Sequence, residues 1–227
     1  MIDNAKKKGF TLAEVLITLL IIGVVASLVI PSIINDTQQA EFDIMFKKNY
    51  ASFANAARLM MMDNGGNLIG LFNNSSDMLN QFGEHILITK KCQAGSTECV
   101  YAGTNTWKNL YGGDGWFDHT IYITAILNNG ASVMLCHNRK NCDLNYTANT
   151  PIEFTCGWMD IDINGKKGPN ILGRDIFAVW ITKTGIYPFG LPKTSYSNWE
   201  TYCNKNNSSS DSGRACAAKV LSGGKVD

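Results

Sequence analysis

Charge of either sign is in short supply. Charged residues make up 17% of the 227-residue chain and the formal net charge is +1. Proteins that neutralise phosphates need a concentrated basic face, so nucleic-acid binding is not expected. Histidine is rarer still: His85, His119 and His137 are the only three, and they sit in unrelated contexts. Neither a G-x-S-x-G nor a P-loop pattern occurs, and the acid pair Asp160 and Asp162 has no partner base. No catalytic constellation emerges, and an enzyme is not expected. Also missing is any C-x-x-C pair, although there are seven cysteines. Their intervals, Cys92 to Cys99, Cys136 to Cys142 and Cys203 to Cys216, with Cys156 between the last two groups, read as disulfides formed in an oxidising compartment. The odd total leaves one thiol over. Cys92–Cys99 and Cys203–Cys216 are the expected bonds, with Cys136, Cys142 and Cys156 sharing one more. Zinc at Cys136, His137 and Cys142 is the rival reading, weakened because no second close pair follows.

What is present in strength is one apolar run. Residues 15–35 carry no charge. From Phe10 to Ile34, at about 1.5 Å per residue, a helix crosses a hydrocarbon core of about 30 Å. Ahead of it lies the basic run Lys6, Lys7, Lys8, which the positive-inside rule holds in the cytoplasm, so that the rest faces outward. A cleaved secretory signal is the alternative, but the run is too long for its apolar region and no A-x-A site follows. Beyond Pro31 the spacing of Phe42, Phe46, Tyr50, Phe53, Ala57 and Met60 continues the helix as an amphipathic one, with Glu41, Asp43, Lys47, Lys48 and Arg58 as its polar face. Asn64-Gly65-Gly66 ends it. Pro31 lacks an N–H, so a bend or melted turn is expected there.

One residue is out of place: Glu14, at the edge of the apolar run. The stretch Lys8-Gly9-Phe10-Thr11-Leu12-Ala13-Glu14-Val15 resembles the cleavage and methylation motif of type IV prepilins and type II secretion pseudopilins. The resemblance is strong over residues 6–34 and weak beyond. It implies a leader of residues 1–9 removed by prepilin peptidase between Gly9 and Phe10, and N-methylation of Phe10. It also implies a transmembrane, filament-core segment over 10–34 with a helix kink at Pro31. Residues 35–227 would then form a periplasmic or extracellular domain that includes the amphipathic half of the helix. In that family the glutamate is thought to pair with the terminal amine of a neighbouring subunit as helices bundle, which would make Glu14 an assembly contact. An unpaired carboxylate in lipid costs on the order of a few kcal/mol; the competing account is a glutamate snorkelling to the interface. Implied partners are other pilin or pseudopilin subunits, the peptidase and an inner-membrane assembly platform, and the implied location is the bacterial inner membrane, then a type IV pilus or a type II secretion pseudopilus.

The remaining chain reads as α+β, pilin-like. Ser75-Ser76-Asp77 caps a second helix through Met78, Leu79, Phe82 and Ile86. Residues 92–115 read as a stapled loop. Two runs, 121–127 and 131–136, flank Asn128-Asn129-Gly130, a hairpin signal, and runs at 153–163 and 176–187 complete an antiparallel meander of about four strands. Its apolar face needs the amphipathic helix as cover. Trp107, Trp116, Trp158, Trp180 and Trp199 read as packing residues rather than a binding platform. Cys203 and Cys216 tie down a polar stretch before a short helix over 215–221. Asp160-x-Asp162-x-Asn164-Gly165 starts like a calcium loop, but the twelfth position is Ile171, not the bidentate glutamate of an EF-hand. A looser calcium site on Asp160, Asp162, Asn164 and Asp175 is open, a trait some pseudopilins have; the favoured reading is an Asn-Gly turn whose aspartates cap backbone amides, with no cofactor. The expected function is a structural filament subunit. The alternative is a minor, tip-located pilin whose globular domain recognises a ligand or surface.

Overall fold

The 3.6-residue period that puts Phe42, Phe46, Phe53, Ala56, Ala57 and Met60 on one stripe has the outcome expected of it: all six are buried on α1 (Leu12–Asp63). The computed structural model describes residues 9–101, 107–115, 120–194 and 198–226, so Lys6, Lys7, Lys8, Trp116 and His119 lie outside the described residues. The chain divides into two compact units, Met1–Glu41 and Phe42–Asp227.

In the first unit the helix carries no charge from Val15 to Asn35 and is apolar on all sides as far as Ile34, where Leu16, Ile22 and Leu28 are 58%, 64% and 73% exposed. The helix is long and apolar enough to cross a membrane. It runs unbroken through Pro31, so the melted turn expected there is not formed. Proline removes a single N–H donor and the turns on either side keep their own bonds.

In the second unit the buried stripe of α1 packs on a sheet of six antiparallel strands in sequence order, β1 (Ile88–Cys92), β2 (Ile123–Leu127), β3 (Ser132–His137), β4 (Thr155–Asp162), β5 (Ile176–Thr182) and β6 (Gly185–Pro188). Six strands replace the expected four. The one missed outright is β1, whose middle residues Thr89, Lys90 and Lys91 are exposed; a lysine-bearing edge strand has no apolar face to betray it, and the same lysines discourage pairing with another chain. Phe46 stacks on Phe177 of β5 at 4.2 Å. Asn49 Oδ1 accepts a 2.8 Å bond from Asn129 in the β2–β3 turn, and Tyr50 donates to the Ile186 carbonyl at 3.1 Å.

α2 (Ser75–Gly83) is capped by Asn74, whose side chain accepts from the Asp77 N–H, rather than by Ser75. Ser75 Oγ instead accepts from the His137 N–H. α3 (Trp199–Tyr202) was not expected, and α4 (Cys216–Leu221) lies where a helix was read. Disulfides join Cys92 to Cys99, Cys142 to Cys156 and Cys203 to Cys216, leaving Cys136 as the buried free thiol. With Cys142 bonded and its partner in the helix-side core, the Cys136–His137–Cys142 zinc reading is overturned. The other face of the sheet is also buried, against Trp107, Tyr122 and Leu172 in one cluster and Ile152 and Phe189 in another. That is why β5 is buried at every position.

Phe46 is the packing anchor most exposed to test. It is fully buried, and Phe46→Ala is expected to cost about 3–5 kcal/mol. At about 2–4 °C per kcal/mol for a domain of this size, thermal melting of the purified chain falls by roughly 10 °C; an unchanged melting temperature contradicts the packing described.

Candidate functional site

Three groups of chemistry-bearing residues stand apart from the core, and the first opens α1. Gly9, Phe10 and Thr11 precede the helix and are exposed. Thr11 Oγ1 accepts from the Glu14 N–H at 3.2 Å, while Glu14 Oε2 accepts from both the Thr11 N–H and the Thr11 hydroxyl at 2.8 Å. This is a reciprocal capping box, T-x-x-E, which satisfies two of the helix's orphan donors. The sequence carried that signature, and the reading of Glu14 as an assembly contact or an interfacial glutamate passed over it. Glu14 thus has a role within its own chain before any partner arrives.

The second group is the loop after β4. Asp160 and Asp162 lie two apart on one face of the strand, yet the structure does not bring them to one site. Asp160 is fully buried beside Tyr122 and Arg214, whereas Asp162 faces Asp175. The Asp175 carboxylate accepts from the Asn170 N–H at 2.8 Å, the Ile171 N–H at 2.7 Å and the Asn164 amide at 3.2 Å, and Asp162 Oδ1 accepts from the Asn164 N–H at 3.3 Å. So far this is the capped turn. Gly165 makes the turn possible: its φ is +64°, and a Cβ there would lie 2.6 Å from the Gly130 carbonyl of the β2–β3 turn.

Capping does not account for the whole loop. Asp162 Oδ2, Asn164 Oδ1 and Asn170 Oδ1 are buried oxygens with no hydrogen-bond partner, and buried acceptors left so are uncommon. Among the described residues no three His, Cys, Asp or Glu side chains converge as a metal site. The set here is two carboxylates and two amides, all hard oxygen donors, which is the chemistry calcium takes. The residues Asp162, Asn164, Asn170 and Asp175 therefore fit such an ion. Asp160, whose two oxygens also lack a hydrogen-bond partner, feels Arg214 rather than Asp175 and is set apart from these four. Asn170 escaped the sequence reading because an amide following Pro169 carries no charge to mark it and reads as a turn residue.

The third group is a recess of about 310 Å³ on the outward face of the sheet, walled by Tyr146, Trp158, Trp180, Phe189, Asp211 and Arg214. Register explains the rings: Trp158 of β4 sits opposite Trp180 of β5, which sits opposite Tyr187 of β6. Phe189 stacks on Trp180 at 3.8 Å and Tyr146 leans on it at 4.4 Å.

Comparison with known proteins bears on the first group alone. The model described as "Prokaryotic N-terminal methylation motif" matches residues 4–30. The match supports a type IV prepilin- or pseudopilin-like N-terminus. No curated protein and no solved structure matches the chain. Its geometry, a long N-terminal helix followed by an antiparallel sheet, is pilin-like α+β.

Burial sets the titration of the acidic loop. The Asp162 carboxyl is held well above the ordinary carboxylate range, first by burial and then by repulsion from Asp175, against the pull of the Asn164 and Gly165 N–H groups. Asp175 is also raised by burial, opposed by the Ile171 and Asn170 N–H groups. Between the unfolded value of about 4 and these raised values the folded chain holds more protons than the unfolded one, so the cluster's contribution to stability falls as pH rises through that window. In chelator, Asp162→Asn is expected to melt above the unsubstituted chain at neutral pH, with a difference that shrinks as pH is lowered towards about 4. A difference that does not vary with pH contradicts the assignment.

Proposed function

We propose that this prepilin-like chain is a structural subunit that prepilin peptidase cuts between Gly9 and Phe10, that is N-methylated at Phe10, and that enters a type IV pilus or type II secretion pseudopilus by bundling of its apolar helix. The observation that carries this is the conjunction of the methylation motif at residues 4–30 with a helix whose large apolar side chains from Leu12 to Ile34 are exposed. Such a surface requires lipid or other apolar helices around it. On this reading the anchor lies in the bacterial inner membrane with the globular domain outside it, and an assembly platform there receives the processed chain.

The capping box refines the role of Glu14. Thr11 supplies the carboxylate with two neutral donors, which lowers the cost of holding it at the membrane edge but leaves its charge unmatched. Cutting after Gly9 creates a cationic amine on Phe10. The amine of a neighbouring subunit then supplies the missing charge, a stronger interaction than a neutral hydrogen bond and stronger again where water is scarce. Two substitutions separate the two roles. Glu14→Gln keeps a side chain able to complete a capping box but has no charge; Glu14→Ala has neither. Both are expected to reduce incorporation into filaments while leaving membrane insertion intact. Normal incorporation of Glu14→Gln beside a defective Glu14→Ala would assign the residue to helix capping alone.

We also infer that the loop after β4 holds calcium, with Asp162, Asn164, Asn170 and Asp175 as its ligands. The ion would offset the repulsion between the two carboxylates and give the unpartnered amide oxygens a partner. An ion bound only by the folded state stabilises by about 2.7 kcal/mol at a hundredfold excess over its dissociation constant. The chelator experiment on Asp162→Asn gains a second arm: added calcium raises the melting temperature of the unsubstituted chain and leaves the variant unmoved. Equal melting with and without calcium sinks the ion and leaves the capped turn.

A second reading, a tip-located subunit whose globular domain recognises a ligand, is favoured by the aromatic recess beside Arg214.

A further inference from the structure

The recess is unusual in what forms its wall. The Arg214 side chain is 8% exposed, with Nη1 3.5 Å from Asp211 Oδ1 and the guanidinium 5.7 Å above the Phe189 ring. Behind it lies Asp160, whose buried carboxyl feels both Arg214 and the Tyr122 hydroxyl. Tyr122 in turn accepts from the Trp158 indole N–H at 2.9 Å. Tyr122 thus holds the Trp158 ring from behind, while Asp211 and the Phe189 ring hold Arg214 in the wall. Burying charge is costly unless it is paired and hydrogen-bonded. A core that needed only rings would not place a cation and two acids beside a solvent-accessible cavity.

We propose that this recess is a binding site for a neutral pyranose sugar. Three features of the wall choose that class. Its volume of about 310 Å³ lies at the small end of ligand sites, about 300–1,000 Å³, and suits a single sugar ring rather than a chain. The rings of Tyr146 and Trp158, both only partly buried, offer apolar surface to the C–H face of a pyranose. Arg214 and Asp211 side by side offer a fork of donors and a carboxylate acceptor, the pair that adjacent hydroxyls need, since each hydroxyl both donates and accepts. Charge decides against other occupants. Arg214 already faces the Asp211 carboxylate at 3.5 Å, so an anion would meet that carboxylate, while a cation would meet the guanidinium. The proposal deepens the ligand-binding reading of the globular domain and is independent of assembly, because it is read on the unassembled protein.

The test is calorimetric titration of the full chain, held in a detergent without a sugar headgroup, with D-glucose, D-galactose and N-acetylglucosamine, followed in parallel by tryptophan emission. At least one of the three is expected to bind saturably. Ser210→Trp, at an exposed position on the rim, fills the mouth without touching the core and is expected to weaken binding by about tenfold or more with melting unchanged. Asp211→Asn, which removes the charge and keeps the shape, is expected to weaken it as well. Absence of saturable binding to all three sugars overturns the proposal. So does saturable binding of benzoate or choline in their place, or sugar binding that Ser210→Trp leaves untouched. Failure here leaves the assembly reading standing, and failure of the Glu14 substitutions leaves this one standing.

Discussion

The structure of the globular unit depends on burying one stripe of one helix. Phe42, Phe46, Phe53, Ala56, Ala57 and Met60 share one core with Val133, Leu135, Met159, Ile161, Phe177 and Val179 of the sheet, and Phe82 of α2 packs edge-on against Phe53 at 5.4 Å. Everything else in the unit is arranged around that contact. The Asn49–Asn129 and Tyr50–Ile186 bonds set where along the sheet the helix lies. The Cys142–Cys156 bond closes the same core from below β4. Upstream the same helix loses its polar face, and its apolar surface is left for lipid or for other subunits. One helix therefore presents two kinds of surface, and the change between them is a change in sequence periodicity near residue 42.

That change was legible in the sequence, because apolar residues recurring every three or four positions from Phe42 to Met60 mark one face of an amphipathic helix. The hairpin at Asn128-Asn129-Gly130 was legible for a similar reason: Gly130 has a φ of +86°, a value that the Asn-Gly turn signal anticipates. Strand β1 was hidden because an edge strand paired on one side and wet on the other needs no apolar alternation. The second layer was hidden too. The outward side of β3, β4 and β5 is covered by irregular segments that bring in Trp107, Ile152 and Phe189, and irregular segments have no period to read. The tryptophans were read as packing residues, which describes Trp107 and Trp180, both fully or almost fully buried; Trp158 is only partly covered and faces the recess.

Two neighbouring acids show how far a motif can mislead. Asp160 and Asp162 point the same way from β4, and the sequence joined them in one possible calcium loop. Long-range contacts separate them. Arg214 and Tyr122 claim Asp160, while Asp175 and the chain turning through Asn164 and Asn170 claim Asp162. Each acid is buried, and burial raises the pKa of each against a different set of neighbours. The first set lies behind the aromatic recess; the second assembles oxygens around a turn. Glu14 is a third acid, a helix cap within its own chain and, on the proposed assembly, the charge that a neighbour's amine would meet.

The claim on which this account rests is that the N-terminal motif is processed, since only cutting after Gly9 creates the amine that Glu14 would meet. Intact-mass analysis of the chain made in cells with an active prepilin peptidase tests it most directly. The expected mass is that of residues 10–227 with one added methyl group, with the methyl located on Phe10 by fragmentation. A chain that still carries residues 1–9, or one cut at another bond, contradicts it.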